Sequence, residues 1–227
     1  IKKRIGVVPE SSNLYNELTA FDNLLFSMKL YGVPRHARAY RAEALLARFG
    51  LAEKRDTRFG RLSRGMKRSL TIAAALAHRP SLVFLDEPTT GLDVVNARGL
   101  RRTIAGLRDE GVTVFLTTHY LEEAERLCDR IALLVRGRIV ALDTVEGLKA
   151  QAHGTTTIEI ATVDGRGRGE PQTKRLTGDS VDGLIREAVA EAGAAGRQVV
   201  AINTIQPSLE DVFVKLTGMS ADEMRTE

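Results

Sequence analysis

Residues 82–88 read Leu-Val-Phe-Leu-Asp-Glu-Pro, an unbroken apolar run that ends abruptly in two carboxylates. An apolar run without alternation suits a central parallel strand covered on both faces. Parallel strands need crossover connections, usually helices, so the run points to an open α/β sheet. Residues 112–117 repeat the pattern and are expected to form a second buried strand, after a helix from about Val94 to Glu110 that stops at Gly111.

The rest of the chain keeps this alternation. Ile5-Gly6-Val7-Val8 reads as a short strand ended by Pro9, followed by the polar turn Ser11-Ser12-Asn13. Thr19 opens a helix with apolar Leu24, Leu25, Met28 and Leu30, closing near Gly32-Val33-Pro34. Residues 35–49 are amphipathic and stop at Gly50, and Ser63 reads as the N-cap of a helix that runs to His78. This helical block, about 19–80, is expected as an insertion in the sheet. Leu121–Leu127 is expected to be helical, and residues 131–135 and 138–142 form a hairpin through Arg136-Gly137. Composition shifts after Gln151. Strands at 156–162 and 198–205, helices at 181–192 and 208–216, and a loop tip at Gly165-Arg166-Gly167-Arg168-Gly169 make a small α/β unit. The expected domains are therefore 1–152 and 153–227.

Composition narrows the function classes. At 227 residues and 43% hydrophobic, the chain buries a substantial core and is neither disordered nor a disulfide scaffold. The single Cys128 allows no internal disulfide and suits a reducing compartment. No apolar run approaches the roughly 18 residues that a membrane span needs. The net charge of +4 is uneven: residues 35–68 hold eleven Lys/Arg against three acids, or +8, leaving −4 elsewhere. Such a block suits polyphosphate, anionic headgroups or nucleic acid, or is simply a solvated helix face. No aromatic residues are interleaved as a base-stacking platform requires.

The chemistry-bearing residues fall between Ser63 and His119. Asp86 and Glu87 follow the C-terminal end of a buried strand, the edge where open α/β sheets bind ligands. Asp86 is suited to hold Mg²⁺ and Glu87 to polarise a water for attack on a phosphate. The plain alternative is a strand-end acid capping the next turn. Ser63-Arg64-Gly65 starts a helix and offers an anion site, or an ordinary cap. Asp93, after Gly91-Leu92, is a cap with room for a second role. His119 ends the next strand, after Thr117-Thr118, at the same edge as Asp86.

The ordered set Leu62-Ser63-Arg64-Gly65-Met66, Leu85-Asp86-Glu87-Pro88, Gly91-Leu92-Asp93 and His119 resembles the signature, Walker B, D-loop and switch-histidine motifs of ATP-binding cassette (ABC) ATPases. The resemblance covers about 1–151. Met66-Lys67-Arg68, residues 117–125 and Pro207-Ser208-Leu209-Glu210-Asp211-Val212-Phe213 resemble the ATPase subunits of ABC-2-type exporters, the daunorubicin-resistance and nodulation-export group. The resemblance implies a P-loop NTPase (RecA-like) parallel sheet with an inserted helical subdomain and a small C-terminal α/β unit.

It also implies a head-to-tail dimer, of two copies or with a paired ATPase subunit, that sandwiches ATP and Mg²⁺. Asp86 would hold Mg²⁺, Glu87 would be the general base and His119 would contact the γ-phosphate. Ser63, Arg64 and Gly65 would face the nucleotide bound mainly by the partner, and Asp93 would couple the two sites. A separate ABC-2-type membrane permease would carry the cargo, with this chain peripheral on the cytoplasmic face of the membrane and no nucleic acid bound.

Three departures qualify the resemblance. The family's phosphate cradle, G-x-x-x-x-G-K-[ST], has no match, since the chain contains no Gly-Lys dipeptide. The family places that loop upstream of Ile5–Val8, so the sequence is expected to be truncated before its Q-loop and inactive alone. Glu10 stands where the Q-loop usually has Gln; it remains a candidate nucleotide contact and Mg²⁺ ligand, but has no amide to donate. Arg64 replaces the first signature glycine. Two alternatives stay open: a soluble ABC ATPase outside transport, and a non-catalytic interaction fragment.

Overall fold

Three parallel strands organise the N-terminal part of the computed structural model: β1 (Ile5–Val8), β2 (Leu82–Asp86) and β3 (Thr113–Thr117), in the order β1-β2-β3. The structure describes residues 2–152, 156–164, 170–178, 180–205 and 208–218. The expected loop tip at 165–169, the domain boundary at 153 and Pro207 of the exporter-like motif lie outside them.

Between β1 and β2 run α1 (Ala20–Leu30), α2 (Arg35–Arg48) and α3 (Arg64–Leu76). Thr19 caps α1 by accepting from the Asp22 amide, and Ser63 caps α3 by accepting from the Met66 amide. The third helix is apolar over most of its length, burying Leu70, Ile72, Ala73 and Ala74. It lies on the sheet so closely that a Cβ on Gly6 of β1 would sit 2.6 Å from the Ala75 carbonyl oxygen. The inserted helices are therefore no separate core: Leu24, Met28, Leu46 and Leu70 share one cluster with Val8, Val83 and Leu85.

After β2 come α4 (Val94–Asp109), β3 and α5 (Leu121–Leu127). The strand expected to be buried at 112–117 is half exposed. Side chains alternate along β3, so Thr113, Phe115 and Thr117 face outward while Val114 and Leu116 pack on the core. Register aligns Val7, Phe84 and Phe115 on that outer face, where Val7 is 52% and Phe115 56% exposed.

The chain divides into two compact units, Ile1–Cys128 and Asp129–Glu227, whereas the sequence suggests a break at 152. The hairpin of β4 (Ile131–Val135) and β5 (Arg138–Asp143) forms a sheet of its own, and α6 (Val145–Ala152), absent from the sequence expectations, packs on α8 (Leu209–Thr217). The second unit also holds β6 (Thr156–Asp164), β7 (Gln172–Gly178), α7 (Val181–Ala194) and β8 (Arg197–Ile205). Its antiparallel sheet, ordered β7-β6-β8, packs Ile158 and Ile160 against Leu184 and Ala188 of α7.

Candidate functional site

Strand β2 delivers Asp86 as its last residue, and the backbone turns at once. Glu87 has φ +46°, a left-handed conformation that costs a residue with a side chain about 1–3 kcal/mol. Several contacts hold it there. The Glu87 amide donates to the Thr117 carbonyl at the end of β3, 3.1 Å away. On the side chain, Oε2 accepts from Thr90 Oγ1 at 2.8 Å, and Oε1 lies 2.9 Å from His119 Nδ1. Asp86 Oδ1 accepts from Thr117 Oγ1 at 2.5 Å. The parallel register of β2 and β3, with Asp86 opposite Thr117, is what brings Asp86, Glu87 and His119 into one cluster.

The Glu87 side chain is 21% exposed and that of His119 35%. A carboxylate oriented by two neighbours and still reached by solvent is arranged to take a proton from a water. Asp86 stands exposed at the strand end and offers hard oxygen donors. Among the described residues no group of three or more His, Cys, Asp or Glu gathers as a metal cage. That donor set fits Mg²⁺, which keeps several waters and is usually bound through one or two carboxylates plus substrate phosphates. Glu10, just past β1, is also exposed, and its backbone carbonyl is held by Arg68.

The remaining predicted residues meet at a second locus in the same unit. Ser63 Oγ is engaged as the α3 cap, 3.3 Å from the Met66 amide. Asp93 caps α4, accepting from the Asn96 amide at 3.0 Å and from Asn96 Nδ2 at 2.5 Å. These bonds hold its carboxyl below the usual aspartate range. The two helix starts interlock. A Cβ on Gly65 would lie 2.9 Å from the Asn96 side chain, and one on Gly91 would collide with the Arg64 guanidinium. Arg64 thus lies along its own chain's Gly91 loop.

Sequence reasoning missed the orienting residues Thr90 and Thr117, the Asn96 link and the buried Arg68. Thr117 stood in the quoted strand-end Thr-Thr-His, where a hydroxyl opposite Asp86 was the available signal.

Residues 1–90 match the family model described as "ABC transporter". A fluoroquinolones export ATP-binding protein of Mycobacterium tuberculosis is 40% identical over 95% of this chain, which covers 68% of that protein. The daunorubicin/doxorubicin resistance ATP-binding protein of Streptomyces peucetius is 34% identical over the whole chain, covering 74% of the relative. A solved ATP-binding subunit of an ABC transporter superposes with a TM-score of 0.59 at 31% identity, over 66% of this chain and 62% of that one.

Proposed function

The chain belongs to the ABC transporter ATP-binding proteins, and from that premise we propose that it is the ATP-hydrolysing subunit of an ABC-2-type exporter. In this proposal it works as a dimer beside a separate membrane permease. One observation carries the assignment: the carboxylate of Glu87, fixed between His119 and Thr90 next to Asp86 at the sheet edge.

Glu87 accepts the proton of the water that attacks the γ-phosphate, and His119 Nδ1 orients that carboxylate. Asp86 and Glu10 are the residues that would hold Mg²⁺, which when bound neutralises charge on the phosphates. Ser63, Arg64 and Gly65 are assigned to the nucleotide of the partner subunit, and Asp93 to communication between the sites. The residues assigned to ATP chemistry all lie in the first compact unit, Ile1–Cys128, and the second, Asp129–Glu227, is assigned as an accessory unit in place of the 153–227 expected from sequence. Val94 and Val95, directly after Asp93, are 82% and 80% exposed, which supports a partner covering this end of α4.

The basic block favours this assignment over nucleic-acid binding. Arg55 pairs with Glu43 and Asp56, Arg48 pairs with Glu110, and Arg41 and Arg68 donate to backbone carbonyls, so these four cations of the block are committed internally. Among the described residues no helix is long and apolar enough to cross a membrane. In this proposal, attachment at the cytoplasmic face runs through the permease. The test is sedimentation of the full-length protein carrying Glu87→Gln. With ATP and Mg²⁺ it should dimerise and with ADP separate, and Val95→Asp should abolish the dimer. A monomer under every nucleotide condition contradicts the proposal.

A further inference from the structure

Arg68 sits in the first turns of α3, just after Ser63–Gly65, and is only 9% exposed. Its guanidinium spends its donors on four backbone carbonyls. Nε donates to Pro88 at 2.9 Å, Nη2 to Asp86 at 2.5 Å, and Nη1 to Pro9 at 2.5 Å and Glu10 at 3.1 Å. A buried cation is costly unless it is paired or fully hydrogen-bonded. Here carbonyl dipoles supply the compensation, aided by the negative charges of Asp86, Glu10 and Glu87 nearby.

Two of the four carbonyls, Asp86 and Pro88, flank Glu87. That residue holds φ +46°, and backbone strain of this kind persists only where the surroundings over-determine it. The other two belong to the loop carrying Glu10. One planar fork therefore joins the Glu87 turn, the Glu10 loop and the helix that begins at Ser63. A lysine keeps the charge, but its single nitrogen cannot span carbonyls arrayed around three guanidinium nitrogens.

We propose that Arg68 is a positioning residue for hydrolysis: it fixes Glu87 in its left-handed pose and couples both Glu87 and the Glu10 loop to the helix bearing Ser63–Gly65. The proposal rests on the ATPase function above, so its test has one arm that does not need turnover. In the full-length protein with its membrane subunit, Arg68→Lys and Arg68→Met should each lower kcat by about 10- to 100-fold, the scale of a misplaced reacting group. KM for ATP should change less than about threefold, since orientation for chemistry rather than nucleotide binding is lost.

In parallel, hydrogen exchange on Arg68→Lys should rise at the Glu87 and Thr90 amides, which donate to the Thr117 and Glu87 carbonyls, and stay at wild-type values in the rest of the core. Wild-type kcat in Arg68→Lys overturns the proposal, because charge alone would then suffice. Exchange raised uniformly through the core also overturns it, by reducing Arg68 to a stability element. If the wild-type complex has no ATPase activity, the functional assignment fails. The exchange arm then still decides the clamp, and unchanged protection at the Glu87 and Thr90 amides refutes it.

Discussion

Gly6→Ala places the close approach of α3 to β1 under direct test. The added Cβ would stand 2.6 Å from the Ala75 carbonyl oxygen and 3.2 Å from Pro80 Cγ. The first of these is backbone, so relief requires α3 to back away from the strand by several tenths of an ångström. Overpacking of this kind costs about 1–3 kcal/mol. An opposing effect exists: alanine restricts the unfolded chain more than glycine, which stabilises by about 0.4–1 kcal/mol where the native backbone allows it. Gly6 has no positive φ, so that gain applies and the net expectation is a loss of about 0–2.6 kcal/mol, centred near 1. Gly99 is the control. It lies exposed within α4 with nothing near its would-be Cβ, so Gly99→Ala should gain about 0.5–1 kcal/mol. Urea unfolding followed by far-UV circular dichroism reads both variants. Opposite shifts of the midpoint support the packing, whereas a Gly6→Ala chain stabilised as much as Gly99→Ala refutes it.

Two further outcomes follow from named groups. His78 Nε2 donates to the Ile5 carbonyl at 3.0 Å, its ring stacks on Tyr31 at 3.8 Å, and burial, reinforced by Arg41 and opposed by the Ile5 bond, lowers its pKa. The unfolded chain therefore takes up this proton first, so stability should fall as pH drops below the unfolded value of about 6.5 and level off once the folded-state pKa is passed. Melting temperatures across that range should flatten in His78→Phe, and an unchanged slope contradicts the assignment. The 227-residue chain by itself has no Gly-Lys phosphate cradle. It should show no ATP turnover above its own Glu87→Gln variant; robust turnover of the isolated chain would mean that other groups hold the phosphates.

Much of the site was legible because strand ends and helix caps are written locally. The apolar run closing on Asp86-Glu87, the caps Thr19, Ser63 and Asp93, and the strand-end His119 follow from short-range pattern. What was not legible depends on tertiary placement. Residues 112–117 are apolar enough for a buried strand, yet Phe115 lies on the sheet face it shares with Val7, which is left exposed among the described residues. Strand β7, Gln-Thr-Lys-Arg-Leu-Thr-Gly, is almost wholly exposed and carries no apolar alternation to betray it. Arg68 is one cation in a basic block, and only the convergence of β1, β2 and α3 shows that its charge points inward. The left-handed turn at Glu87 likewise has no sequence signature, because glutamate is an ordinary choice only where φ is negative.

In the proposed function Glu87 acts as the base of an ATPase. Glutamine at this position keeps an oxygen to accept from Thr90 and an amide to face His119, so it removes the base with little change in shape. Steady-state hydrolysis by the full-length protein with its membrane subunit is the direct measurement. Glu87→Gln should lower kcat by about 100- to 10,000-fold, the usual contribution of general base catalysis, with melting temperature and nucleotide affinity unchanged. Hydrolysis by Glu87→Gln at the wild-type rate would contradict the account.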